Sequence, residues 1–87
     1  MTSKIAKDDL FTVVEKALIN AKNTAALSES ISIDSKMGSP IEWDSLSFVS
    51  VYLAVSEHFD VELDDDDAIQ FRDVRSIYEL LNEIAHQ

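Results

Sequence analysis

Apolar residues recur at helical spacing near both ends of the chain. Five apolar residues in the first part share one helical face: Leu10, Val14, Ala17, Leu18 and Ala21. Five in the last part do the same: Val74, Ile77, Tyr78, Leu81 and Ile84. Side chains three, four and seven positions apart lie on the same side of an α-helix. The spacing therefore predicts helix I over about residues 8–22 and helix IV over about residues 74–85.

The most apolar stretch of the chain begins after Asp44 and contains no Gly or Pro up to Phe59. Its polar residues recur at helical spacing, which predicts helix II over about residues 45–59. Asp44 is the expected N-cap, because an Asp carboxylate accepts hydrogen bonds from the free N–H groups of a first turn. Ser45 then takes the first helical position, where the helix dipole favours an attached negative group such as a phosphate. The residues expected to face the bundle are Val49, Tyr52, Val55 and Phe59.

A long polar segment separates helices I and II. It covers residues 23–44 and contains the only Gly and the only Pro of the chain, Gly38 and Pro40. Four apolar residues are expected to anchor it to the core: Ile31, Ile33, Met37 and Ile41. After helix II, an acidic run precedes Ala68 and Phe71, which predicts a short helix III over about residues 65–71. The predicted fold class is therefore all-α, a single four-helix domain over residues 1–87.

Charge and cysteine content narrow the classes of partner and of chemistry. The formal net charge is −10, and the whole excess lies after Lys36, where Arg72 and Arg75 face the acidic residues. Nucleic acid and anionic membrane surfaces repel such a protein, so the expected partners present Lys and Arg. The chain has no Cys, so any thiol must be brought in on another group. No apolar run suits a signal peptide or a membrane span, which indicates a cytoplasmic protein, expected to be a monomer.

The order of motifs around Ser45 is typical of one known family. Residues 44–46 (DSL) open the apolar helix, and residues 57–63 (EHFDVEL) and the acidic run follow it. Over about residues 41–81 this order resembles the acyl carrier protein family. In that family, the serine carries a 4′-phosphopantetheine arm whose terminal thiol holds an acyl group as a thioester. The resemblance implies an acyl-carrier-like bundle of three longer helices and one short helix, in which Ser45 is the attachment site. It also implies a carrier that is not itself an enzyme.

The resemblance further implies which residues meet partners and cargo. Asp44 is expected to contact the phosphopantetheinyl transferase in addition to capping helix II. The residues expected to contact partner enzymes are Trp43, Leu46, Ser47, Ser50, Leu53, Glu57 and Ile69. Those expected to line an acyl pocket are Val49, Leu63, Ala68 and Phe71. The partners implied are the transferase, a loading ligase or acyltransferase, and later pathway enzymes with basic docking surfaces.

Neither catalytic residues nor a metal site are expected. His58 shows no spacing to a Ser and an Asp that would indicate a catalytic triad. The Asp run at residues 64–67 lacks the alternating ligands, the Gly and the bidentate Glu of a calcium-binding EF-hand loop. A small protein that responds to divalent ions through this run remains an alternative.

Two departures from the family pattern indicate a specialised member. Carriers of fatty acid synthesis usually have a Gly two or three residues before the serine, where this chain has Glu42 and Trp43. Their helix II also carries acids along its exposed stripe, where this chain has mostly Ser. These features favour a stand-alone carrier for a dedicated pathway with fatty acyl, polyketide or related cargo. The alternatives are an aminoacyl or D-alanyl-type carrier and an unmodified acidic four-helix interaction module.

Overall fold

Three α-helices and one short 3₁₀ helix make up the fold. The computed structural model describes residues 5–85, so residues 1–4 and 86–87 of the predicted domain lie outside the described range. The α-helices are α1 (Lys7–Lys22), α2 (Ser47–His58) and α3 (Val74–Ala85), and the 3₁₀ helix is Asp67–Gln70. No strand forms within residues 5–85, and the predicted all-α class is confirmed. None of the helices in this range is long and apolar enough to cross a membrane.

The core lies between the three α-helices. α1 packs along α2, and its buried face consists of Leu10, Val13, Val14, Ala17 and Leu18. α2 contributes Val51 and Val55, and the chain from Phe71 into α3 contributes Phe71, Val74, Ile77 and Leu81. Ala21 is exposed, so the buried face of α1 ends one turn earlier than its predicted face. The α1 helix ends at Lys22 and is capped by Asn23, which has a left-handed backbone (φ 51°) and whose N–H donates to the Asn20 carbonyl at 3.3 Å.

α2 buries a narrower face than its sequence predicts. Val55 is fully buried, whereas Tyr52 and Phe59 are half-buried. Val49 is 49% exposed, so the prediction that it faces the bundle is wrong. Leu53 is also 52% exposed, so part of the apolar surface of α2 stays uncovered.

The long segment before α2 is held by its backbone. The Met37 N–H donates to the Arg72 carbonyl at 2.8 Å, and the Val74 N–H donates to the Ser35 carbonyl at 2.9 Å. Gly38 follows these contacts and turns the chain with φ +94°, a conformation that L side chains rarely adopt. These bonds fix the segment against the start of α3, on the same side as Ser45.

Trp43 is the main side-chain anchor of this segment. Its indole is fully buried in the core, and Pro40 beside it is also buried. Ile41 is 71% exposed, so its prediction as an anchor is wrong. Ile31, Ile33 and Met37 are partly buried against the core. Trp43 is the largest side chain that this segment buries completely.

The acidic run forms a tight turn that leads into the 3₁₀ helix. The Asp64 N–H donates to the Asp67 carboxylate and the Asp67 N–H donates to the Asp64 carboxylate, both at 3.1 Å. This reciprocal pair has the pattern of a capping box, and a 3₁₀ helix of four residues forms in place of the helix predicted over about residues 65–71. Phe71 follows it, and its ring meets the edge of the Tyr52 ring at a centroid distance of 5.1 Å.

Candidate functional site

Asp44 organises the turn that carries Ser45. Its Oδ1 accepts hydrogen bonds from the N–H groups of Leu46 and Ser47, both at 2.9 Å. Its backbone carbonyl accepts from the Phe48 N–H at 2.9 Å. This is the bonding pattern of an N-cap residue, as predicted. Regular α2 begins at Ser47, two residues later than predicted, because residues 45 and 46 form a turn closed by the Asp44 side chain.

Hydrogen bonds of the Ser47 hydroxyl hold this turn in place. This hydroxyl donates to the Glu42 carbonyl at 2.7 Å and accepts from the Asp44 N–H at 2.9 Å. The Ser47 side chain is almost completely buried, as is Trp43 two positions before Ser45. The exposed Ser45 therefore lies between two buried residues that hold its backbone in place.

Lys22 neutralises Asp44 from the end of α1. The Lys22 Nζ donates to Asp44 Oδ2 and forms an ion pair with it. This bond and the Ser47 N–H hold the pKa of the Asp44 carboxyl well below its usual range. The two residues are 22 positions apart, and the chain has four other Lys residues, so no feature of the sequence singles out this pair.

Replacing Asp44 with Ala should destabilise the protein, because two backbone N–H groups and Lys22 lose their acceptor together. We expect a melting temperature lower by about 4 to 8 °C, the usual effect of a lost N-cap in a domain of this size. Thermal unfolding followed by circular dichroism measures the change. Asp44→Asn is the matched control, because its amide oxygen still accepts from both N–H groups and it loses only the partly exposed ion pair.

Replacing Asp44 with Asn should make the melting temperature less sensitive to acid. The pKa of Asp44 is lower in the folded protein than the ordinary value of about 3.9, so its contribution to stability is present above that value. That contribution is lost as the pH falls through the folded pKa. Between about pH 5 and pH 2, the melting temperature of the native protein should therefore fall more steeply than that of Asp44→Asn. Parallel curves for the two proteins would contradict the role given to Asp44.

Ser45 lies at the edge of an apolar groove. Its side chain is exposed, and the groove beside it has a volume of about 330 Å³. The residues that line the groove come from the segment before α2, from α2 and from the chain leading into α3: Met37, Ser45, Phe48, Ala68, Ile69 and Arg72. Four of them are apolar and one is cationic, so the groove combines an apolar lining with a single guanidinium.

Of the seven predicted partner contacts, five are at least partly exposed and two are buried. Leu46, Leu53 and Ile69 are 80%, 52% and 63% exposed. Ser50, Leu53 and Glu57 line one depression of about 390 Å³ between α1 and α2. The prediction of a surface contact is wrong for Trp43 and Ser47, because both side chains are buried and hold the turn from inside.

The predicted acyl pocket is wrong at Val49, whose side chain is 49% exposed. Of its four residues, Ala68 lines the groove beside Ser45. Val49 is on the surface, Leu63 is half-buried, and Phe71 lies in the core. The groove uses Phe48 of α2 and also Met37, which was predicted to anchor the long segment. Their contact depends on how the long segment folds against α2, which residue spacing does not encode.

Within residues 5–85, no group of three or more His, Asp or Glu side chains is placed to hold a metal ion. Comparison with models of known protein families and with curated proteins finds no match for this chain. The motif around Ser45 and the geometry of the site are therefore the features of this chain that bear on its function.

Proposed function

We propose that this protein is an acyl carrier protein of a dedicated biosynthetic pathway. Ser45 carries a 4′-phosphopantetheine arm, which holds fatty acyl, polyketide or related groups as thioesters. The observation that carries the proposal is the position of Ser45, an exposed serine on a firmly held turn at the edge of an apolar groove. In this proposal the 3₁₀ helix serves as the short third helix of a four-helix carrier bundle, which acts as a monomer in the cytoplasm.

The accessibility of the Ser45 hydroxyl supports modification by another enzyme. In the proposed reaction, the Ser45 oxygen forms a bond to the phosphorus of coenzyme A that bears pantetheine. The bond from that phosphorus to 3′,5′-ADP breaks, and the serine proton passes to a base of the transferase, which also holds Mg²⁺. When bound, the arm supplies the thiol that a chain without Cys lacks.

The groove beside Ser45 offers an apolar surface to an acyl group carried on the arm. Its volume of about 330 Å³ is at the lower end of the range for small-molecule pockets, about 300 to 1,000 Å³. Met37, Phe48 and Ile69 give it apolar walls. Apolar cargo therefore gains by lying in this groove, since its contact with water is reduced.

The surface around Ser45 supports docking to basic partners. All of the net charge of −10 comes from the part of the chain after Lys36, which includes Ser45. The exposed Leu46, Leu53 and Ile69 add apolar contact area. Asp44 remains partly exposed and within reach of a transferase. A transferase, a loading ligase or acyltransferase, and later enzymes with Lys and Arg at their docking sites are the partners proposed.

Incubation with coenzyme A, Mg²⁺ and a broad-specificity phosphopantetheinyl transferase tests the proposal. We expect the intact mass to rise by one arm, and a matched reaction without Mg²⁺ to leave it unchanged. The unmodified interaction module predicts no addition under either condition. An aminoacyl carrier predicts the same addition, and loading assays with acyl and aminoacyl donors then separate the two kinds of cargo.

A further inference from the structure

Among residues 5–85, Arg72 is a cation without an ion-pair partner in an acidic part of the chain. Its side chain is exposed and lines the same groove as Ser45. Within the part of the chain that the structure describes, the ion pairs are Lys22 with Asp44 and Arg75 with Asp34, and Arg72 takes part in neither. The Arg72 backbone is fixed, because its carbonyl accepts the Met37 N–H at 2.8 Å. The Arg72 side chain therefore extends from a fixed backbone position on the groove that Ser45 also lines.

Charge makes this arrangement unusual. Twelve of the 17 acidic residues follow Lys36, and Arg72 and Arg75 are the only Lys or Arg residues among them. Arg75 is paired with Asp34 at 3.0 Å. With so many carboxylates nearby in sequence, a guanidinium that pairs with none of them and instead lines an apolar groove is free to bind an anion that arrives there.

Three backbone N–H groups and one ammonium near Ser45 that favour an anion are already used. The N–H groups of Leu46 and Ser47 donate to Asp44 Oδ1, and the Phe48 N–H donates to the Asp44 carbonyl. The Lys22 ammonium is paired with Asp44 Oδ2. A negative group attached to the Ser45 oxygen could use these donors only by displacing Asp44. Arg72 is the cation of the groove that needs no such displacement.

We infer that Arg72 binds the phosphodiester through which the arm is attached to Ser45, an inference that rests on the proposed function. A phosphodiester carries one negative charge, and the planar guanidinium can donate two parallel hydrogen bonds to its oxygens. Arg72 is a positioning residue in this account. It offsets the repulsion between the added charge and the acidic surface, and it directs the base of the arm along the groove toward Phe48 and Ile69.

The two Arg residues of the chain provide a test within one sample. The apo protein and the protein modified with coenzyme A and transferase are compared by two-dimensional ¹H–¹⁵N spectra that record the Arg Nε–H signals. Modification should shift the Arg72 signal and leave the Arg75 signal in place, because Arg75 already has its partner. At about 0.5 M salt, the shift of the Arg72 signal should shrink, since an exposed ion pair is screened.

A pair of variants gives an independent measurement. Modification should lower the melting temperature of Arg72→Gln by about 1 to 5 °C more than that of the native protein, because the added charge is no longer offset. Arg75→Gln removes the same charge three residues away in α3 and should respond to modification as the native protein does. The substituted side chains are exposed, so both variants keep the core intact.

The outcomes separate this inference from the proposed function. If intact mass shows that no arm is added, both proposals fail. If the arm is added but the Arg72 and Arg75 signals respond alike, and Arg72→Gln melts in parallel with Arg75→Gln, the role of Arg72 is wrong and the carrier proposal stands. A selective response of Arg72 supports both.

Discussion

Replacing Trp43 with Ala should destabilise the protein by about 3 to 5 kcal/mol, the usual cost of removing a buried aromatic side chain. Trp43 is fully buried and anchors the long segment against the core, two residues before Ser45. A domain of 87 residues is typically stable by about 4 to 13 kcal/mol, so this loss removes between about a quarter and all of the stability. Urea unfolding, followed by far-ultraviolet circular dichroism, measures the change.

Trp43→Phe is the matched control and should cost far less. Within the described residues, the buried Trp43 Nε1 has no hydrogen-bond partner. An unpaired buried donor costs about 1 to 3 kcal/mol, so removing this donor offsets most of the cost of placing a smaller apolar ring in the core. We expect a net change within about 1 kcal/mol. If Trp43→Ala were as mild as Trp43→Phe, the anchoring role of this ring would be wrong.

Replacing Ser45 with Ala should abolish addition of the phosphopantetheine arm altogether. No other group at this position can form the phosphate ester once the hydroxyl oxygen is removed. Because the Ser45 side chain is exposed, its loss should change the free energy of unfolding by less than about 0.5 kcal/mol. The effect on modification is therefore not a consequence of unfolding. Intact mass after reaction with coenzyme A, Mg²⁺ and a transferase measures it.

Ser56→Ala is the matched control for Ser45→Ala. It removes a serine hydroxyl from α2, at a position away from the groove. This variant should accept one arm as the native protein does. Addition to Ser45→Ala, or equal failure of both variants, would contradict the assignment of Ser45.

Local patterns in the sequence predict α1 and α3 well, because each helix is defined by apolar residues a few positions apart. The predicted range 8–22 lies within Lys7–Lys22, and the predicted range 74–85 coincides with Val74–Ala85. The core positions Leu10, Val14 and Leu81 follow from the same spacing. Such contacts need no knowledge of the rest of the fold.

The start of α2 and its buried face depend on contacts that spacing does not encode. Ser47 looks like a surface residue by type, but its hydroxyl bonds the Glu42 carbonyl and it becomes buried. Val49 looks like a core residue by type and is half exposed. Short polar side chains that bond to nearby backbone can override the polar and apolar pattern at a helix start. The turn of residues 44–46 shows this effect, because the Asp44 and Ser47 side chains bond to nearby backbone groups.

The electrostatic partners of the site could not be found from the sequence. The position of Asp44 predicts a cap, but its pairing with Lys22 joins residues from separate parts of the chain. The place of Arg72 in the groove likewise depends on the backbone bond between Arg72 and Met37. Long-range contacts of this kind are set by the packing of the long segment, which has no periodic signal of its own.

The most direct test of the carrier account is the mass of the peptide that contains Ser45, from protein isolated from the cells that make it. Proteolysis followed by fragmentation of this peptide identifies the modified residue. The account predicts one 4′-phosphopantetheine arm on the Ser45 oxygen in a substantial fraction of the molecules. Ser45 found unmodified in every molecule, or an arm attached to a different residue, would contradict it.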